Sequence, residues 1–176
     1  GFTSVCSLLT NTNPYGTLDF DNCYFTDIKT SPVSDYTTPA NGGINVLRFT
    51  NNVVKNIGAY TNFNSAGIRL DSNLIYDAFI DNNLIDGVDA GYLGQKDGIS
   101  IGAVTVDPNC TSVITNNTIK NITNTGIVVN KRHVSGITAF GPRVRIIGNT
   151  IKNVYGDSTN TDQYGIYTKT SYSVIT

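Results

Sequence analysis

Apolar and polar residues recur along this chain in a long, nearly constant register. The block Asn116–Ile122 (NNTIKNI) returns as Asn51–Ile57, Asn82–Val88 and Gly148–Val154, with a weaker copy at Asn22–Ile28. The blocks start at 22, 51, 82, 116 and 148, steps of 29, 31, 34 and 32 residues. Repetition at such a period is the mark of a stacked-repeat architecture. Two and four residues before each block lie Phe20, Phe49, Ile80, Ile114 and Ile146, and Leu18, Leu47, Ala78, Ser112 and Val144. They alternate with mostly polar residues, the period-two pattern of a half-buried strand.

At the block start the alternation breaks. Asn22, Asn51, Asn82, Asn116 and Gly148 share that position, and Asn with Gly as its substitute is what a positive-φ bend selects. Phe25, Val54, Ile85, Ile119 and Ile151 follow, and then Ile28, Ile57, Val88, Ile122 and Val154 after a second Asn, Asp or Gly. Two corners therefore flank a very short strand. A third strand is predicted to open on Gly67-Ile68, Gly98-Ile99, Gly126-Ile127 and Gly165-Ile166, continuing to Leu70, Ile101, Val129 and Thr168. Coils of this kind pair in parallel and in register, and bury their apolar columns only by stacking. Asn52, Asn83, Asn117 and Asn149, with Cys23 as the exception, are placed to form an interior amide ladder.

The expected fold is all-β: a single-stranded parallel β-helix, a solenoid with about five coils of three short strands each. Residues 1–16 form a partial or irregular first coil and residues 17–176 the repeating coils. Ser173–Thr176 repeats Ser112–Thr115, the strand before Asn116. The chain is thus expected to be an uncapped segment of a longer helix, because an open coil is an unpaired strand edge.

Composition sharpens this picture. All 13 acidic residues are Asp, and Glu, Met and Trp are missing, which removes strong helix formers. A net charge of -1 gives no footprint for nucleic acid or an anionic membrane surface. The apolar runs are strand-sized, so no membrane insertion is expected. The three cysteines, Cys6, Cys23 and Cys110, have no metal-ligand spacing; one pair with a free thiol, or three reduced thiols, both fit. No metal and no cofactor is expected.

On the repeated blocks and the Gly-Ile strands, the chain resembles the right-handed parallel β-helices of the pectate-lyase-like superfamily, and in character its bacteriophage tailspikes and polysaccharide depolymerases. The polygalacturonase motifs Asn-x-Asp, Asp-Asp, Gly-His-Gly and Arg-x-Lys are not matched, nor is the calcium-and-arginine signature of pectate lyases, so no catalytic residue carries over. The resemblance implies a carbohydrate-binding β-helix of a tailspike or receptor-binding protein. Such a protein recognises, and in some cases degrades, host cell-surface polysaccharide. It would form a homotrimer in the virion tail, with outward Phe79, Val113 and Ile147 at subunit contacts. A secreted bacterial lyase or glycoside hydrolase, and a non-catalytic structural or adhesive β-helix, are the alternatives.

Candidate chemistry is sought in the loops between coils: Lys29–Gly42, Asp89–Asp97, Asn130–Pro142 and Tyr155–Tyr164. Tyr rings stack on sugars while hydroxyl, amide and charged groups bind their hydroxyls. Glycoside cleavage needs two carboxylates roughly 5–5.5 Å or 6.5–9.5 Å apart, and coils are about 4.8 Å apart. Aspartates in neighbouring coils meet this, and Asp71 and Asp97 are the catalytic candidates, with Asp77 and Asp89 in reserve. The ordinary reading of Asp71 and Asp97 is as turn residues, since Asp-Ser and Asp-Gly are turn dipeptides. Arg69 offers a planar fork to a carboxylated sugar. Tyr92 and Lys96 are substrate-binding candidates from their loop. His133 is a candidate base or anion contact with no carboxylate partner identifiable from sequence. Asp86, in an outward column with Lys55, Lys120 and Lys152, reads as a surface charge ladder.

Overall fold

The computed structural model describes residues 6–8, 15–35, 44–58, 64–70, 75–89, 94–102, 111–124, 132–156 and 161–176. Their strands follow the repeat. The first level has β1 (Cys6–Leu8), β2 (Tyr15–Asp21) and β3 (Tyr24–Thr26), and the second β4 (Val33–Asp35), β5 (Ile44–Thr50) and β6 (Val53–Ile57). The third has β7 (Ser65–Leu70), β8 (Ile75–Asp81) and β9 (Leu84–Asp89), and the fourth β10 (Lys96–Gly102), β11 (Thr111–Thr115) and β12 (Thr118–Asn124). Then come β13 (Arg132–Ile147), β14 (Thr150–Gly156) and β15 (Thr161–Ile175).

Every pairing is parallel and joins strands of successive levels. The chain is an all-β parallel β-solenoid of about four turns. The five blocks are the five levels of the sheet β3-β6-β9-β12-β14, and five levels are separated by four turns, one fewer than the number of blocks. The other strands form two faces that merge at β13, whose first half pairs with β10 and second half with β11. A β-strand therefore occupies most of Asn130–Pro142, a segment expected to be a loop.

The core is the set of columns read from the repeat. Leu47, Phe49, Val54, Ile57, Ile80, Ile85, Val88, Ile114, Ile119 and Ile122 are fully buried. At one end three phenylalanines fill the coil, Phe25 stacking on Phe49 with centroids 5.6 Å apart and Phe20 meeting Phe25 edge-on at 6.2 Å.

The corners match their expected backbone. Asn22, Asn51, Asn82, Asn116 and Gly148 all have positive φ, and so do Asp27, Asn56, Gly87, Asn121 and Asn153. Just past the first corner runs the buried ladder. Asn117 Oδ1 accepts from the Asn83 amide N–H and from Asn83 Nδ2, both at 2.9 Å, while Asn117 Nδ2 donates to Ile80 O and Asn149 Oδ1. Asn83 accepts from Asn52 N, and Asn52 from Cys23 N. Cys23 closes the ladder without continuing it and is a free thiol. The outward column also holds: Lys55, Asp86, Lys120 and Lys152 are in register, with Lys120 Nζ 3.2 Å from Asp86.

The Gly-Ile column requires a correction. Its members are Gly67, Gly98, Gly136 and Gly165, each followed by an Ile aligned with the next. Gly126-Ile127 and Val129 lie outside the described residues, and Gly136-Ile137 and Ala139 hold the positions expected of them. The step here is 38 residues, from Asp97 to Ser135, longer than any block spacing, so a constant period selects the wrong Gly-Ile pair. The glycines serve close packing. A Cβ on Gly98 would overlap Ile119 Cγ2 and the Gly136 carbonyl oxygen; one on Gly67 would overlap Ile85 and the Gly98 carbonyl; one on Gly165 meets nothing within 4 Å.

Two stability outcomes follow. Gly98→Ala should destabilise by about 1–3 kcal/mol or more through overpacking, whereas Gly165→Ala should fold like the parent chain. Asn117→Ala leaves buried donors on Asn83 without acceptors, a loss of about 1–3 kcal/mol for each orphaned group; Asn153→Gly, at an exposed positive-φ corner, should lie within about 1 kcal/mol of the parent. Urea unfolding of the four variants measures all of these, and equal midpoints for Gly98→Ala and Gly165→Ala would discard the packing account.

Candidate functional site

The Gly-Ile step does more than pack. Gly98 would aim a side chain at core Ile119, and the next residue, Ile99, is itself in the core. Two successive residues thus face inward, and the residues on either side of the pair are thrown to the same outer face. The flanking pairs are Ala66/Arg69, Asp97/Ser100, Ser135/Thr138 and Tyr164/Tyr167. They align coil on coil into two columns, Ala66–Asp97–Ser135–Tyr164 and Arg69–Ser100–Thr138–Tyr167.

Asp97 is the chemical centre of this face. It is 3% exposed. Gln95 Nε2 donates to its Oδ2 at 2.6 Å, Thr138 Oγ1 donates to Oδ1 at 2.9 Å, and Ser135 Oγ makes a very short contact with the same Oδ1. Ser135 Oγ and Thr138 Oγ1 are themselves 2.6 Å apart. His133 Nε2 approaches from the rim, 3.7 Å from Asp97 Oδ1 and 3.4 Å from Thr138 Oγ1, with its side chain 20% exposed. Burial pushes the Asp97 carboxyl above the usual carboxylate range, against the pull of Ser135, His133, Gln95 and Thr138.

Beside the acid is an aromatic platform. Tyr164 and Tyr167 stack with centroids 4.8 Å apart and planes 25° apart. His133 packs on Tyr167 at 5.1 Å, and Phe140 meets Tyr167 edge-on at 5.6 Å. Both tyrosines are half-buried. Lys169 is aligned with Phe140 and exposed, and Asp162 is aligned with His133.

The residues expected from sequence are distributed unevenly. Asp97 and His133 come together, so His133 does have a carboxylate beside it, supplied by the preceding coil. Arg69 shares the outer column and donates Nη1 to Asn64 O at 3.0 Å. Lys96 is fully buried. Burial brings its ammonium down to about 8, with Asp89 and Asp97 opposing the shift and Arg69 adding to it. Asp71 and Tyr92 lie outside the described residues. Of the reserves, Asp77 accepts from Thr111 N at 3.0 Å on another face, and Asp89 acts electrostatically on Lys96. Among the described residues no group of three or more His, Cys, Asp or Glu side chains converges as a metal site.

Ser135, Thr138, Gln95, Tyr164, Tyr167 and Phe140 were not among the candidates. The signal that finds four of them is the tetrapeptide x-Gly-Ile-x, read as AGIR, DGIS, SGIT and YGIY, whose outer residues alone vary.

Stability should depend on pH in two opposed windows. Asp97 binds its proton more tightly folded than unfolded, so stability falls as pH rises from about 3.9, its ordinary value, through its folded titration. Lys96 binds its proton less tightly folded, so stability rises between about 8 and its ordinary 10.5. Urea midpoints across pH should lose the first slope in Asp97→Asn and the second in Lys96→Met; slopes that persist in these variants would assign them to other groups. The chain itself matches no known protein-family profile, no curated protein and no solved structure, so its fold and this outer-face cluster are what its function must be read from.

Proposed function

We propose that this chain is a polysaccharide-binding β-solenoid, working as part of a bacteriophage tailspike or receptor-binding protein that engages host cell-surface polysaccharide. The observation that carries the reading is the platform of Tyr164 and Tyr167, stacked, half-buried and flanked by His133, Phe140 and Lys169. Sugar rings present apolar faces ringed by hydroxyls. Rigid aromatic faces with polar groups at their margins match that chemistry at small entropic cost.

The same geometry favours binding over cleavage. Asp97, the candidate acid whose side chain is described, is 3% exposed behind His133, Ser135 and Thr138, so a glycosidic oxygen does not reach it directly. For the homotrimer, the face carrying Phe79 is our choice of contact. Phe79 is 36% exposed under the Arg48 guanidinium, 5.9 Å from its centroid, and aligned with Val113.

Loss of one stacked ring costs about 0.5–1.5 kcal/mol beyond its area. Tyr167→Ala should therefore weaken binding to a responsive polysaccharide by about 3- to 10-fold or more, with a retained cooperative unfolding transition as the control for folding. Titration calorimetry over a panel of bacterial surface polysaccharides is the measurement. A panel that shows no binding, or binding untouched by Tyr167→Ala, sinks the reading.

A further inference from the structure

Three oxygens on the outer face are in mutual contact: Ser135 Oγ, Thr138 Oγ1 and Asp97 Oδ1. Three hydrogen-bonded contacts need three protons. The two hydroxyls supply one each. A protonated carboxyl supplies the third. Its place is also fixed, because Oδ2 already accepts from Gln95 Nε2 at 2.6 Å, which leaves Oδ1 as the oxygen that carries a proton into the triangle.

We infer that Asp97 is a neutral carboxylic acid that closes a three-oxygen hydrogen-bonded ring and thereby positions His133 against Tyr167. This rests, for its functional meaning, on the polysaccharide reading above. His133 Nε2 meets the ring at Thr138 Oγ1, 3.4 Å away, and its imidazole lies on Tyr167. With the ring closed, the hydroxyl of Thr138 is held in place and the imidazole has a fixed partner. When Asp97 ionises, two protons remain for three contacts, and two lone-pair-bearing oxygens face each other at 2.6–2.9 Å. The ring then opens, and the negative charge draws His133 inward, off the tyrosine. Asp97 is a positioning residue here, since it touches no ligand.

The charged and titratable neighbours come from every strand around it. Arg69 of β7 and Lys96 of β10 bring positive charge, and His133 stands on β13. Asp89 of β9 and, aligned with His133, Asp162 of β15 bring negative charge, with the Tyr164 and Tyr167 phenols beside them. These charges oppose one another in part, and burial is the largest influence on the carboxyl, in the direction the proton count requires.

The test uses the whole chain labelled with 13C at Asp side-chain carboxyls. At about pH 6, some two units above the ordinary aspartate value of about 3.9, the Asp97 resonance should still sit at the position of a protonated acid. The His133 ring resonances and their contacts to Tyr167 should survive in Asp97→Asn, the neutral isostere, and be displaced in Asp97→Ala. For a responsive polysaccharide, Asp97→Asn should bind within about twofold of the parent and lose the parent's decline in affinity at high pH, while Asp97→Ala should lose about tenfold, the 1.4 kcal/mol of one lost buried contact. A carboxylate resonance at about pH 6, or an Asp97→Asn variant that disturbs His133 as much as Asp97→Ala, overturns the inference. Failure of every polysaccharide to bind would remove the binding reading alone, since the ring and its hold on His133 are read without ligand and stand on those resonances.

Discussion

In-register parallel hydrogen bonding between coils is the constraint on which everything else in this molecule depends. Each strand takes its backbone partners from the coil before and the coil after, so any corner that bends the chain must also hand its backbone groups across the same gap. The asparagine ladder does this with side chains: Asn83 and Asn117 each take an N–H from one neighbour and give their own hydrogens to a carbonyl and to the next amide. Because the inner amides are tied to the coils on both sides, one missed register would orphan several buried groups at once. The positive-φ corners, the isoleucine columns and the glycine column all inherit their spacing from this single condition.

The same condition explains how chemistry arises on a repetitive scaffold. Stacking brings residues some thirty to forty positions apart to neighbouring places on one face, and the inward Gly-Ile pair brings residues three apart to the same face. Asp97, Ser135 and Thr138 meet through both effects together. A column of Ala, Asp, Ser and Tyr is scaffold at one level and a polar or aromatic contact at another. The solenoid thus varies its surface without altering its core, and the buried acid beside the tyrosine platform is one result.

Much of this was legible in the residues. Period-two alternation and the Asn/Gly substitution at block starts report backbone geometry directly, because side-chain direction and φ are local properties. Asn52, Asn83 and Asn117 could be placed in a ladder, and Lys55, Asp86 and Lys120 in a surface column, from spacing alone. The Gly-Ile column was read correctly at Gly67, Gly98 and Gly165 and missed at Gly136, where an insertion broke the period. That one miss turned most of β13 into an expected loop. It also hid Ser135 and Thr138, and left His133 without the partner the preceding coil provides.

The class of fold, the corners, the core columns and the ladder follow from the residues alone, since each rests on a pattern repeated within the chain and set by local geometry. Which residues meet across coils was decided by the tertiary structure. The length of each inserted loop sets the register between levels, and nothing in a loop's residues states how the chain resumes after it. The burial of Asp97 and Lys96, the convergence of Ser135, Thr138 and His133 on one carboxyl, and the stacking of Tyr164 on Tyr167 depend on that register, and so does any function the outer face performs.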